Sequence, residues 1–295
     1  MFTPFFSNKF YRHQLGWLLL FIVGGMLISS SVSLLIGKLC PDTDTDTYSR
    51  WYLYTVQSVS ALGTFFVPAL LFSYCVSKKW FSYNNADKIA PPPLAGYVFL
   101  LSLFILPLIA CLGYFNEQII FPESMQKIEI WMQEMEEKNR VLTQTLTANA
   151  NIPILLLNII VMALLPSLFE EFLFRGTIQQ FFTKWFANKP IAIIVTAFIF
   201  SAIHFQFYGF IPRFLLGIYL GYLFVWGGSL WLPIIAHFMH NANSLIIDYG
   251  TQRRGINLET MNPTQIPEFY PVVIGCTLCV VLLIYLLKKK AEKVS

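Results

Sequence analysis

Long apolar runs alternate along the chain with short polar segments. Runs of about 20 mostly apolar residues, the length that crosses a bilayer core as a helix, begin near Gly16, Trp51, Gly96, Ile152, Pro190, Phe210, Ser229 and Tyr270. The pattern predicts an all-α integral membrane protein with about eight transmembrane helices. Eight such spans use about 160 residues, so a chain of 295 residues keeps only loops beside them and forms a single membrane domain. Residues 1–121 hold three spans, and 16–37, 51–76 and 96–110 contain no charged residue, so they read as scaffold. Residues 122–151 form the longest extramembrane stretch, 152–249 hold four further spans, and 250–295 hold a loop and the last span. In 122–151, Ile128, Met132 and Met135 recur at helical spacing with acids between them. That spacing fits an outside amphipathic helix resting on the bundle or the membrane surface, or a solvated charged face.

Composition sharpens the class. Hydrophobic residues make up 56% and charged residues 12%, where a soluble fold carries roughly 25% charged. Nucleic-acid binding and a soluble dinucleotide-binding domain are thereby disfavoured. Basic residues in short loops mark the cytoplasmic side. An inside N-terminus puts Lys9, Arg12, Lys78, Lys79, Lys88, Arg175, Lys184, Lys189, Lys288, Lys289, Lys290 and Lys293 inside. Lys38, Arg50, Lys127, Lys138, Arg140, Arg213, Arg253 and Arg254 then share the outside with most acids, among them Asp42, Asp44 and Asp46. Both termini are expected in the cytoplasm. The run 16–37 behind Lys9 and Arg12 is too long for the apolar part of a signal peptide and lacks a small-x-small cleavage site, so it counts as the first span. Cys40, Cys75, Cys111, Cys276 and Cys279 are odd in number and mostly intramembrane, so they define no disulfide framework. Cys276 and Cys279, one helical turn apart, read as packing. The run DTDTDT at 42–47 reads as a solvated turn.

The unusual polar residues gather between Glu170 and Asn243. A carboxylate inside a span costs at least ~2.5 kcal/mol on insertion scales, so such a group usually faces a cavity and has a task. Glu171 and Arg175, at i and i+4, share a helix face and can pair, whereas Glu170 sits about 100° around the helix. Glu170 is then the desolvated carboxylate suited to general-base work. The next span carries His204, with Phe200 one turn earlier on the same face; taken alone, that histidine reads as structural. The seventh span adds His237 and Asn241 on one face, while His240 and Asn243 lie on others and read as supporting or packing residues.

The ordered set E-E-x-x-x-R at Glu170, Glu171 and Arg175, F-x-x-x-H at Phe200 and His204, and H-x-x-x-N at His237 and Asn241 resembles the CPBP family. This family comprises the type II CAAX prenyl endopeptidases and their bacteriocin-processing or self-immunity (Abi-like) relatives. The resemblance covers about residues 152–249. It implies an intramembrane endopeptidase acting on a membrane-associated or lipidated peptide, in which Glu170 and His204 activate water while His237 and Asn241 lie near the scissile carbonyl. Such donors would stabilise the oxyanion. It leaves open whether zinc or another divalent metal takes part. Glu170, His204 and His237 could supply three ligands with a fourth position open, but there is no H-E-x-x-H and no second shell evident in the sequence. The expectation is water activated by Glu170 without a metal.

A transporter would also hold Glu, His and Arg in the membrane, but it should show a polar route across both leaflets or paired repeats with broken helices, and spans 1 to 3 offer neither. A non-enzymatic adaptor or immunity protein of the same fold is the other alternative. Phe181, Phe182, Trp185 and Phe186 would suit a lipid-borne substrate or ordinary interfacial anchoring. Sequence assigns no oligomeric state. The expected setting is a prokaryotic cytoplasmic membrane, with the site opening toward the cytoplasm. Counting along the helices adds one geometric expectation. For Glu170 and His204 to meet, the helix bearing Glu170 must continue to about Phe186 and turn back at 187–190 as an antiparallel hairpin.

Overall fold

The structure is a computed structural model describing residues 10–39, 49–256 and 266–294; the expected turn at 42–47, Lys9 and Cys40 lie outside these. It is helical throughout the described residues. We label the principal helices α1 (Tyr11–Leu39), α2 (Arg50–Val76), α3 (Pro92–Glu117), α4 (Gln126–Thr147), α5 (Ile152–Phe186), α6 (Lys189–Ala202), α7 (Phe210–Gly227), α8 (Trp231–Arg253) and α9 (Phe269–Val294). Six of the described helices are long and apolar enough to cross a membrane: α1, α2, α3, α5, α7 and α9. The other two expected spans are also helices, but α6 has only 14 residues and α8 carries the polar motif. Fourteen residues rise about 21 Å, less than a bilayer core of about 30 Å. The chain therefore turns back through 203–209 inside the bundle.

The expected long helix is present. α5 runs for 35 residues without a break at Gly176 and contains two π-helical segments, Ile159–Leu164 and Phe172–Gln179. It ends at Ala187 in the left-handed conformation, and Asn188 caps α6 by accepting a hydrogen bond from the Ile191 N–H. Gly176 is needed for packing, because a Cβ there would lie 2.7 Å from Asn84 Oδ1.

Close backbone approach also fixes α1 against α2. A Cβ on Gly25 would lie 2.0 Å from the Gly63 carbonyl oxygen, the small-residue contact that lets membrane helices meet. Gly25→Ala is expected to lower stability by about 1–3 kcal/mol through overpacking, whereas Gly24→Ala, whose Cβ meets nothing within 4 Å, should be silent. Thermal unfolding of both variants in one detergent checks this.

The bundle has two distinct ends. At one, Tyr11 packs on Phe181 and Trp185, and the loop before α3 meets the start of α8 through Trp231 Nε1 donating to the Ala86 carbonyl at 2.9 Å. Phe181 and Phe182 are buried in this cluster, so the idea that they offer a surface to a lipid-borne substrate is corrected; Phe186 alone of the four is exposed. At the other end, Arg50 at the start of α2 donates to the Thr145 and Ala148 carbonyls, and Asn158 donates to the Leu146 carbonyl. Helix α4 thus rests on the bundle, with Met132 and Leu146 buried, although Ile128 is half exposed.

Candidate active site

The motif residues converge from three helices and one turn. Glu170 and Glu171 stand where the α-helical part of α5 passes into its second π segment, and π segments often occur at functional sites. Arg175 is fully buried; its Nη1 donates to Glu171 Oε1 at 2.6 Å and its Nη2 to the Gly217 carbonyl at 3.0 Å. One turn further, Gln179 repeats the bond, donating to the Gly221 carbonyl at 3.1 Å. These bonds stitch α5 to α7. Glycine at 217 allows this close approach, since a Cβ would lie 3.0 Å from that of Ala197.

His237 from α8 completes the buried group, its Nδ1 2.9 Å from the same Glu171 Oε1. A carboxylate oxygen only accepts, so Nδ1 carries the proton and Nε2 of neutral His237 is an acceptor. His204, just past α6, has Nδ1 2.7 Å from the Phe200 carbonyl. By the same reasoning its Nδ1 donates and its Nε2 keeps a free lone pair. That Nε2 lies 3.9 Å from Glu170 Oε2, a buried oxygen with no hydrogen-bond partner. Phe200 sets the spacing: its ring meets His204 and His237 edge-on at 5.1 and 5.8 Å, and the Arg175 guanidinium lies 4.7 Å from its centre.

A cavity of about 600 Å³ opens beside these groups, with Glu170, His204, His237 and Asn241 on its wall. Sequence reasoning missed Arg213, Gln206 and the inward position of His240, all of which line it. Arg213 donates to the Gln206 carbonyl at 3.2 Å and to Gln206 Oε1 at 2.7 Å, holding the 203–209 turn. In the sequence Arg213 looked like a loop cation, and only the short α6 brings it inward. Asn243 instead donates to the Ser102 carbonyl, away from the site, as a packing residue. Burial raises the Glu136 carboxyl on α4 above the usual carboxylate range, with Arg213 opposing.

Among the described residues, no three His, Cys, Asp or Glu side chains converge as a cation site. Glu170 Oε2 and His204 Nε2 approach one another, and the Nδ1 atoms of His204 and His237 are held by the Phe200 carbonyl and Glu171, which leaves both Nε2 lone pairs free. Glu170, His204 and His237 are therefore the residues that would hold a zinc ion if one binds.

The cavity runs toward the α4 end of the bundle. Its wall rises from Glu170 to Thr143, Thr147 and Asp248, and Asp248 is about 16 Å further along α8 than His237. The mouth therefore lies at the α4 end, opposite both termini. Cytoplasmic termini and a cytoplasmic mouth exclude each other in this fold. Counting along helices gives the depth of a residue but not which end of the bundle is plugged. Here Arg175, Phe174 and Gln179, all buried, fill the terminal side.

Residues 152–243 match the Rce1-like family, described as type II CAAX prenyl endopeptidase Rce1-like. The matched segment contains all the motif residues. The chain is also 34% identical over 89 residues to the uncharacterized protein YpbD of Bacillus subtilis (strain 168), a stretch covering 29% of this chain and 42% of that protein. The chain thus spans less than half the length of that curated relative. No solved structure matches.

Proposed function

We propose that the protein is an intramembrane endopeptidase hydrolysing a peptide bond of a membrane-associated or lipidated substrate. The observation that carries this reading is the unpartnered, buried Glu170 Oε2 3.9 Å from an acceptor nitrogen of His204 on a cavity wall. A water about 2.8 Å from both atoms donates one hydrogen to each and turns its lone pairs toward the cavity. As that water attacks the carbonyl carbon, Glu170 takes its proton; when the C–N bond breaks, Glu170 returns the proton to the leaving amine. Asn241 offers a neutral N–H to the oxyanion. His237 can donate from Nε2 only as the imidazolium, with Glu171 as counter-ion. The family match over 152–243 supports the reaction class.

Comparing new protein termini in membranes carrying wild-type protein or Glu170→Ala tests the reading: cleavage products confined to the wild type are expected, and identical termini would leave the adaptor alternative. Water activation without a metal makes a separate prediction. Purified enzyme treated with a strong chelator should keep its rate and contain well under one equivalent of zinc. Loss of activity restored by zinc would reverse this and make His204 and His237 ligands.

A further inference from the structure

Two observations made independently of the catalytic motifs determine from which side a substrate reaches this site. The first is the path. Beyond Thr143, Thr147 and Asp248 the cavity continues into a second hollow bounded by Glu136, Gln144 and Gln252. Hydroxyls, amides and carboxylates lie among apolar side chains such as Ile109, Met162 and Leu245 along this route to the α4 end of the bundle. Toward the other end, Ser73, Asn84 and Thr177 form a closed, buried hydrogen-bonded set below the buried Arg175. Among the described residues, the path from the site leads to the α4 end.

The second is charge. The short loops and helix ends on the terminal side carry Lys78, Lys79, Lys88, Lys184 and Lys189, with the lysine run 288–290 at the end of α9. The α4 end mixes basic residues with acids, including Glu129, Glu134, Glu136 and Glu137 within α4 itself. Lys and Arg in short loops set orientation, so the terminal side is cytoplasmic and the mouth faces away from the cytoplasm.

We propose that the site draws its peptide from the extracytoplasmic face of the membrane, so that its substrates are exported, membrane-proximal segments rather than cytosolic tails. This rests on the peptidase reading for the word substrate, but not for the sidedness. The mixed lining offers hydrogen-bonding groups to an extended peptide backbone and apolar contact to its side chains.

Orientation can be read without activity. In a chain with Cys40, Cys75, Cys111, Cys276 and Cys279 replaced by Ala, single cysteines are placed by Thr143→Cys at the exposed rim and Lys79→Cys at the opposite end. Intact bacterial cells are treated with a membrane-impermeant maleimide. Labelling of Thr143→Cys in intact cells, with Lys79→Cys labelled only after permeabilisation, is expected. The reverse pattern overturns the proposal, and so does equal labelling of both in intact cells. If the cysteine-free chain does not insert, reporters fused after Ser295 in the native chain decide: fluorescence from a cytoplasmic reporter supports the proposal, and activity of an export-dependent phosphatase overturns it. Expected labelling together with no cleavage of any peptide would end the peptidase reading and leave the sidedness standing.

Discussion

Glu170→Gln should lower peptidase turnover by about 10²- to 10⁴-fold, the usual contribution of a positioned general base, while the protein inserts and melts as the wild type does. The amide keeps the size of the side chain and one acceptor oxygen, but it takes up no proton at the position facing His204 Nε2, 3.9 Å away in the wild type. Because Oε2 has no hydrogen-bond partner in the folded protein, the substitution breaks no bond that holds the bundle together. Single-turnover rates on a membrane-inserted peptide, measured beside thermal unfolding, separate the two effects. A variant within threefold of the wild-type rate would remove Glu170 from the reaction.

The largest stability effect is expected five residues on. Arg175→Met should cost about 3–5 kcal/mol, because it leaves the buried Glu171 carboxylate without its counter-charge. Both side chains of that pair are fully buried. The cost should lie in the orphaned charge more than in the lost attraction, since a buried ion pair replaced whole is often close to neutral. Glu171→Gln combined with Arg175→Met should therefore recover more than half of the loss, the amide oxygen still accepting from His237 Nδ1. Unfolding in graded denaturing detergent measures both variants. If Arg175→Met alone is as stable as the wild type, the pair has no structural role.

The sequence made some of this legible and hid the rest for identifiable reasons. Apolar runs located the helices because a membrane interior tolerates little else, and the i,i+4 spacing of Glu171 and Arg175 was enough to foresee their contact. Counting residues back from 187–190 correctly brought Glu170 to the depth of His204. Three features resisted the same reasoning. The run after Pro190 has the composition of a full span, but α6 stops after 14 residues, and hydropathy does not register where a chain turns back inside a bundle. Arg213 became a cavity residue only through that early turn. Phe181 and Phe182 sit in an apolar stretch where lipid-facing and core-facing rings look alike; Phe181 is covered by Tyr11 and Phe72, distant in sequence, and Phe182 packs beside it.

One carboxylate oxygen, Glu171 Oε1, receives both the Arg175 guanidinium of α5 and the His237 ring of α8, and Arg175 also reaches the backbone of α7. Synthesis delivers these helices one after another, so α5 enters the bilayer before α7 and α8 exist to receive it. At that moment each charge on it carries a transfer cost of roughly 2.5–3.5 kcal/mol, and only the bond within α5 is available to offset it. The same i,i+4 pair that later anchors the site therefore serves first to carry its own helix into the membrane. The histidine arrives last and docks onto an oxygen already held in place.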